Sequence, residues 1–173
     1  MINVSIIIVN YKVKKEILRC VDSIYKSKSS LTFEIIVVDN DEKNTIEGDL
    51  KKQFSRVKYI KSPGNIGFGA GCNLGAKYAK GEYLFFLNPD IQVLENALDA
   101  LYDFISKKKN VGAVSPLLLD KDGKSSIVQG SEHHTIINTI LSLSFIHKLF
   151  PNNPIARKFF LRDWDKKMVK EAD

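Results

Sequence analysis

Two stretches, NVSIIIVN at 3 to 10 and FEIIVVD at 33 to 39, carry β-branched apolar residues in continuous runs. A strand wetted on one face alternates apolar with polar side chains, so an uninterrupted run has to be buried on both faces. Similar runs follow at VKYIK (57 to 61), EYLFFL (82 to 87) and VGAVSP (111 to 116). Between them lie segments of helical periodicity, at about 13 to 28, 44 to 54, 69 to 80 and 95 to 108. This alternation predicts an α/β fold, a mostly parallel sheet flanked by helices. In the first helix Ile17, Leu18, Val21, Ile24 and Tyr25 form one apolar face. In the fourth, Leu94, Leu98, Leu101, Phe104 and Ile105 do the same, and both faces are assigned to the core.

A chain of 173 residues is one core's worth of protein. Its formal charge of +6 suits an anionic partner without choosing among nucleic acid, membrane or a phosphorylated small molecule. No basic stripe or aromatic platform stands out, which argues against nucleic acid. Cys20 and Cys72 both fall inside predicted helices, so neither a disulfide framework nor a zinc cluster is indicated, and a reducing, cytoplasmic setting is expected. The amino end opens directly on a strand, with no basic leader before an apolar segment. No apolar run reaches the length of about 20 residues that a spanning helix needs.

LLLDKDGKSSIVQ, at 117 to 129, places Asp122-Gly123 between two apolar ends and predicts a hairpin. Its GKS is not a phosphate loop, because the glycine required upstream is Leu118. From about residue 131 the character changes to an apolar helical tail, and the chain divides into 1–130 and 131–173. An exposed apolar helix at 136 to 150 has two assignments, packing against a further segment or peripheral contact with a membrane surface.

In open parallel sheets ligands collect beyond the carboxyl ends of the strands. There the sequence places Asn10-Tyr11, Asp39-Asn40-Asp41, SPGNIGFGAGCNLG and Asn88-Pro89-Asp90. Asp39 can accept hydrogen bonds from a ribose or a base, or cap the next helix through an Asx-turn, and its spacing leaves both open. The glycine-rich stretch is not a dinucleotide fingerprint, since that motif belongs in the first strand-to-helix turn, here NYKVKK. A dinucleotide oxidoreductase is therefore disfavoured. Asn73 sits inside a helix, where Asn needs a local bond or a polar neighbour. Asn88-Pro89-Asp90 suits a type I turn, yet its position also offers a carboxylate to Mg²⁺ or Mn²⁺ shared with substrate phosphates.

Together, VSIIIVNYK, IIVVDN, GNIGFGAGCNLGAKYAKGEYLFFLNPD and GAVSPLLLDKDG resemble the nucleotide-binding half of a family 2 glycosyltransferase of the GT-A fold. The resemblance implies transfer of a sugar from a nucleotide-diphosphate donor to a saccharide or lipid-linked saccharide acceptor, with inversion, using Mg²⁺ or Mn²⁺. It implies that Val9, Asn10, Tyr11 and Asp39 enclose base and ribose. It places Asn65, Gly67 and Asn73 at the border of the donor pocket, Asn88 in that pocket, and Asp90 on the metal. Asn88 stands where the family's aspartate-x-aspartate has its first acid, as in a branch resembling rhamnosyltransferases of cell-surface polysaccharide assembly. The family's later Trp-x-x-Gly-Ala stretch and the acidic pair that supplies the general base have no counterpart here. The chain is thus expected to stop short of the catalytic base, and a non-catalytic nucleotide-sugar-binding or partner module is the alternative. The resemblance also implies a position in the cytoplasm or at the inner face of the membrane, and leaves the oligomeric state open.

Overall fold

A computed structural model of the chain describes residues 1–43 and 45–125, together with Thr135, Ile136, Ile140, Pro154 and Arg157. The helical tail expected over 131–173 otherwise lies outside the described residues, as do the late carboxylates Glu132, Asp163, Asp165, Glu171 and Asp173. The chain divides into two compact units, Met1–Val114 and Ser115–Asp173. In the first, strands and helices alternate: β1 (Val4–Asn10), α1 (Lys14–Lys26), β2 (Phe33–Asp39), α2 (Glu47–Gln53), β3 (Lys58–Lys61), α3 (Phe68–Ala76), β4 (Tyr83–Leu87) and α4 (Ala97–Ser106). The strands lie in the order β3-β2-β1-β4, every pair parallel. This is the α/β fold that the continuous apolar runs require.

The two central strands, β1 and β2, fill both faces of the sheet. On one face Val4, Ile6, Ile8, Ile35 and Val37 pack against Ile17, Cys20, Val21 and Ile24 of α1, with Leu87 and Leu98 in the same cluster. Each such aliphatic side chain contributes about 1.5–3 kcal/mol when fully buried, so this face supplies most of the core's hydrophobic stabilisation. On the other face Val9 and Val38 meet Cys72 of α3 in a much smaller cluster. There the contact is made by backbone approach. A Cβ on Gly71 would stand 2.9 Å from Val9 Cγ1, and one on Gly75 2.6 Å from Ile7 Cγ2. Glycine at these two positions lets α3 lie directly on β1.

Three sequence expectations are corrected. VGAVSP at 111 to 116 forms no strand; Gly112 weakens a strand interior, and Pro116 has no N–H to give a ladder. That leaves β4 at the edge among the described strands, so its burial alternates, with Leu84 and Phe86 about half exposed. Leu94 precedes α4 and is 58% exposed rather than core. The turn at Asp122-Gly123 is present, closed by Asp120 N–H to the Lys124 carbonyl at 2.8 Å and an antiparallel bridge between Leu119 and Ser125. The hairpin's remaining residues, 126–129, lie outside the described ones. No helix among the described residues is long and apolar enough to cross a membrane.

Candidate functional site

The order of the strands reverses between β1 and β4, and the crevice at such a reversal is where open α/β sheets receive ligands. Ile8 pairs with Leu87, so the end of β1, Val9 and Asn10, runs on beside the turn Asn88 to Asp90 that follows β4.

Asp39 is completely buried at the end of β2. Its Oδ1 accepts from Asn10 Nδ2 at 2.8 Å and from the Asp41 N–H at 3.1 Å. Its Oδ2 accepts from the Tyr59 hydroxyl at 2.8 Å and the Ile46 N–H at 3.4 Å, with Lys61 Nζ at 3.7 Å. A carboxylate offers about four lone-pair sites, and all four are in use. Asp39 forms an Asx-turn, extended into a knot that ties β1, β2, β3 and the approach to α2. Burial pushes the Tyr59 phenol up to about 12, with its bond to the Asp39 carboxylate adding to the rise.

Asn40 is the residue that sequence reasoning passed over. It is buried, its Nδ2 donates to the Gly67 carbonyl at 3.1 Å, and its Oδ1 has no partner among the described residues. Strand alternation is the signal that would have found it. Val38 faces α3, so Asn40, two residues on, falls on the same side, close to Gly71. Asn10 is also buried with an unpartnered Oδ1, but it pairs in register with Asp39 on the opposite, α1-facing side.

The glycine loop closes over the α3 side. Gly67 adopts φ 82°, a conformation that glycine takes without a Cβ penalty, and α3 begins at the next residue. Asn65 Oδ1 accepts from the Gly67 N–H at 3.2 Å, which fixes the turn. Asn65 and Asn73 are exposed, as is the Tyr11 ring at 42%.

Asn88-Pro89-Asp90 is a turn, closed by the Ile91 N–H to the Asn88 carbonyl at 3.2 Å. The Cys20 thiol of α1 also points at that carbonyl, Sγ to O 3.7 Å. Burial pushes the Cys20 thiol up to about 12, and the negative charge of Asp90 adds to the rise. The side chains of Asn88 and Asp90 are exposed, and the Asp90 carboxylate makes no hydrogen bond or ion pair among the described residues. Nor do the described residues gather three or more His, Cys, Asp or Glu side chains around one point. Among the described residues the one carboxylate at this point is Asp90, and one carboxylate together with diphosphate oxygens is a donor set that Mg²⁺ and Mn²⁺ accept.

An exposed carboxylate, buried amides and a glycine loop thus gather at the switch point of the parallel sheet in an α/β domain. The chain belongs to Glycosyl transferase family 2, which it matches over residues 5–169. It is 33% identical over 127 residues to the low-salt glycan biosynthesis hexosyltransferase Agl10 of Haloferax volcanii, covering 70% of this chain and 38% of that protein. It is 30% identical over 125 residues to the poly(ribitol-phosphate) beta-N-acetylglucosaminyltransferase TarP of Staphylococcus aureus, covering 69% and 36%. The crystal structure of S. aureus TarS 1-349 in complex with UDP superposes with a TM-score of 0.55 at 22% identity, over 66% of this chain and 38% of that one. The last likeness shows a shared GT-A fold. The chain spans well under half the length of the curated relatives it matches.

Proposed function

We propose that this chain binds a nucleotide-diphosphate sugar as the donor-binding part of an inverting glycosyltransferase of cell-surface polysaccharide synthesis, in a branch resembling rhamnosyltransferases. The observation that carries this is Asp90, an exposed carboxylate without a hydrogen bond or ion pair among the described residues, where β4 ends beside β1. Base and ribose lie against Val9, Asn10, Tyr11 and Asp39, with Asn40 offering an oxygen that has no partner among the described residues. Asn65, Gly67 and Asn73 border the donor, and Asn88 lies beside Asp90. Asp39 serves this site by fixing Asn10 and the Asp41 turn. When bound, Mg²⁺ or Mn²⁺ would neutralise the diphosphate as it departs. Asp90 would hold that ion, and the buried Cys20 steadies the Asn88 carbonyl behind it. No general base is assigned to the chain. The acceptor is a saccharide or a lipid-linked saccharide, reached in the cytoplasm or at the membrane's inner face.

Calorimetry with UDP, dTDP and GDP, each with and without Mn²⁺, tests the donor site. Asp90→Ala should remove the metal-dependent part of binding and leave the far-UV spectrum unchanged; equal affinity in wild type and variant refutes the metal role. Nucleotide release from a panel of donors tests turnover, and binding without release supports the alternative, a non-catalytic binding or partner module.

A further inference from the structure

Residues 88–96, which carry Asp90 between the end of β4 and the start of α4, form neither helix nor strand. Without a backbone ladder of its own, such a segment takes its shape from the groups that satisfy its N–H and C=O groups. Three of its polar contacts run along α1. The Cys20 thiol points at the Asn88 carbonyl, the Val93 N–H donates to Ser23 Oγ at 2.9 Å, and the Asn96 N–H donates to the Ser27 carbonyl at 3.1 Å. Cys20, Ser23 and the C-cap Ser27 stand at i, i+3 and i+7, a spacing that places them on one face of the helix. The partners follow in the same order on both sides, so the segment is laid along α1 as along a rail.

Ser23 holds the middle of that rail. Its hydroxyl donates to the Cys20 carbonyl at 2.7 Å, which commits its proton within the helix and leaves its lone pairs to the Val93 N–H. Ile91 and Val93 are half-buried against the core cluster, whereas Asp90 and Gln92 are exposed. Seating Val93 inward therefore leaves Asp90 on the solvent side. We infer that Ser23 is a positioning residue for Asp90: it fixes the far end of the loop at Val93, as Cys20 fixes the near end at Asn88, and so keeps the carboxylate presented beyond the sheet. The inference rests on the reading of Asp90 as the acid that meets Mg²⁺ or Mn²⁺ with the donor diphosphate, and Ser23 acts only through the loop. If the loop leaves this arrangement for part of the time, apparent affinity falls with the fraction that remains competent.

The full chain is titrated calorimetrically with UDP, dTDP and GDP, each with and without Mn²⁺, as wild type, Ser23→Ala, Ser23→Thr and Ser27→Ala, and amide exchange over 88–96 is followed by mass spectrometry. Ser23→Ala should weaken Mn²⁺-dependent binding about three- to tenfold, the factor that one hydrogen bond is worth, leave metal-free binding unchanged and speed exchange over 88–96. Ser23→Thr keeps the hydroxyl and should restore both. Ser27→Ala loses a side-chain bond to the Ile24 carbonyl while the Ser27 carbonyl still receives Asn96, so it should match wild type and controls for a general loss of stability. Mn²⁺-dependent binding by Ser23→Ala that equals wild type, that is weakened no more than in Ser27→Ala, or that threonine does not restore overturns the inference, as does unchanged exchange. If wild type shows no Mn²⁺-dependent binding, the metal reading of Asp90 itself fails and the positioning role falls with it; binding by wild type that Ser23→Ala retains in full sinks the positioning role alone.

Discussion

Gly69 and Gly75 occupy the same helix, α3, and the same substitution should move stability in opposite directions at the two positions. Alanine is preferred over glycine in a helix interior by about 1 kcal/mol, whatever surrounds it. At Gly69, in the first turn, a new Cβ meets nothing within 4 Å, so Gly69→Ala keeps the part of that gain a first-turn position carries. At Gly75 it would stand 2.6 Å from Ile7 Cγ2 and 3.2 Å from Val38 Cγ2. Ile7 is fully buried, and its β-branched side chain has few rotamers to retreat into. Overpacking of this kind costs about 1–3 kcal/mol, and so short a contact with a stiff neighbour belongs at the upper end. Against the helix gain of about 1 kcal/mol, Gly75→Ala should be net destabilising by about 2 kcal/mol. Urea unfolding followed by far-UV circular dichroism reads both variants against wild type, and melting temperatures should move apart by roughly 2–4 °C for each kcal/mol. If Gly75→Ala is as stable as wild type, α3 does not rest on β1 as described.

Tyr59→Phe removes one of the four hydrogen bonds on the buried Asp39 carboxylate, and should cost about 1.5–3 kcal/mol in urea unfolding; a loss below about 0.5 kcal/mol would mean that the knot tolerates a missing donor. Burial raises the Cys20 thiol from 9.0 to about 12, so the folded chain keeps a proton that the unfolded chain releases near its ordinary value. The stability tied to that proton is whole below the unfolded value and declines as pH rises from there towards about 12. Iodoacetamide at pH near 9 should therefore label Cys20 in urea but spare it in the native state. Rapid native labelling, read by mass spectrometry, would contradict the burial.

The central strands were legible because a two-faced apolar run has few alternatives: FEIIVVD was expected at 33 to 39 and occupies Phe33–Asp39. β4 carries an equally apolar run, yet it lies at the edge among the described strands, because position in a sheet depends on which other strands find partners. VGAVSP had composition without one. At the site, the sequence marked the strand ends but not the direction of each side chain. Asp39 and Asn40 are adjacent and polar, and the alternation of the strand sends one into the α1 side and the other towards α3. Of the groups around Asp39, the Tyr59 hydroxyl and the Lys61 ammonium come from a strand about twenty residues later, and no local pattern announces them.

The buried carboxylate at the end of β2 has a practical consequence for genetics. Because it cross-links the strand termini from within, a substitution at position 39 should register as lost donor binding in a screen even where the primary damage is to folding yield. A thermal melt on each inactive clone separates the two.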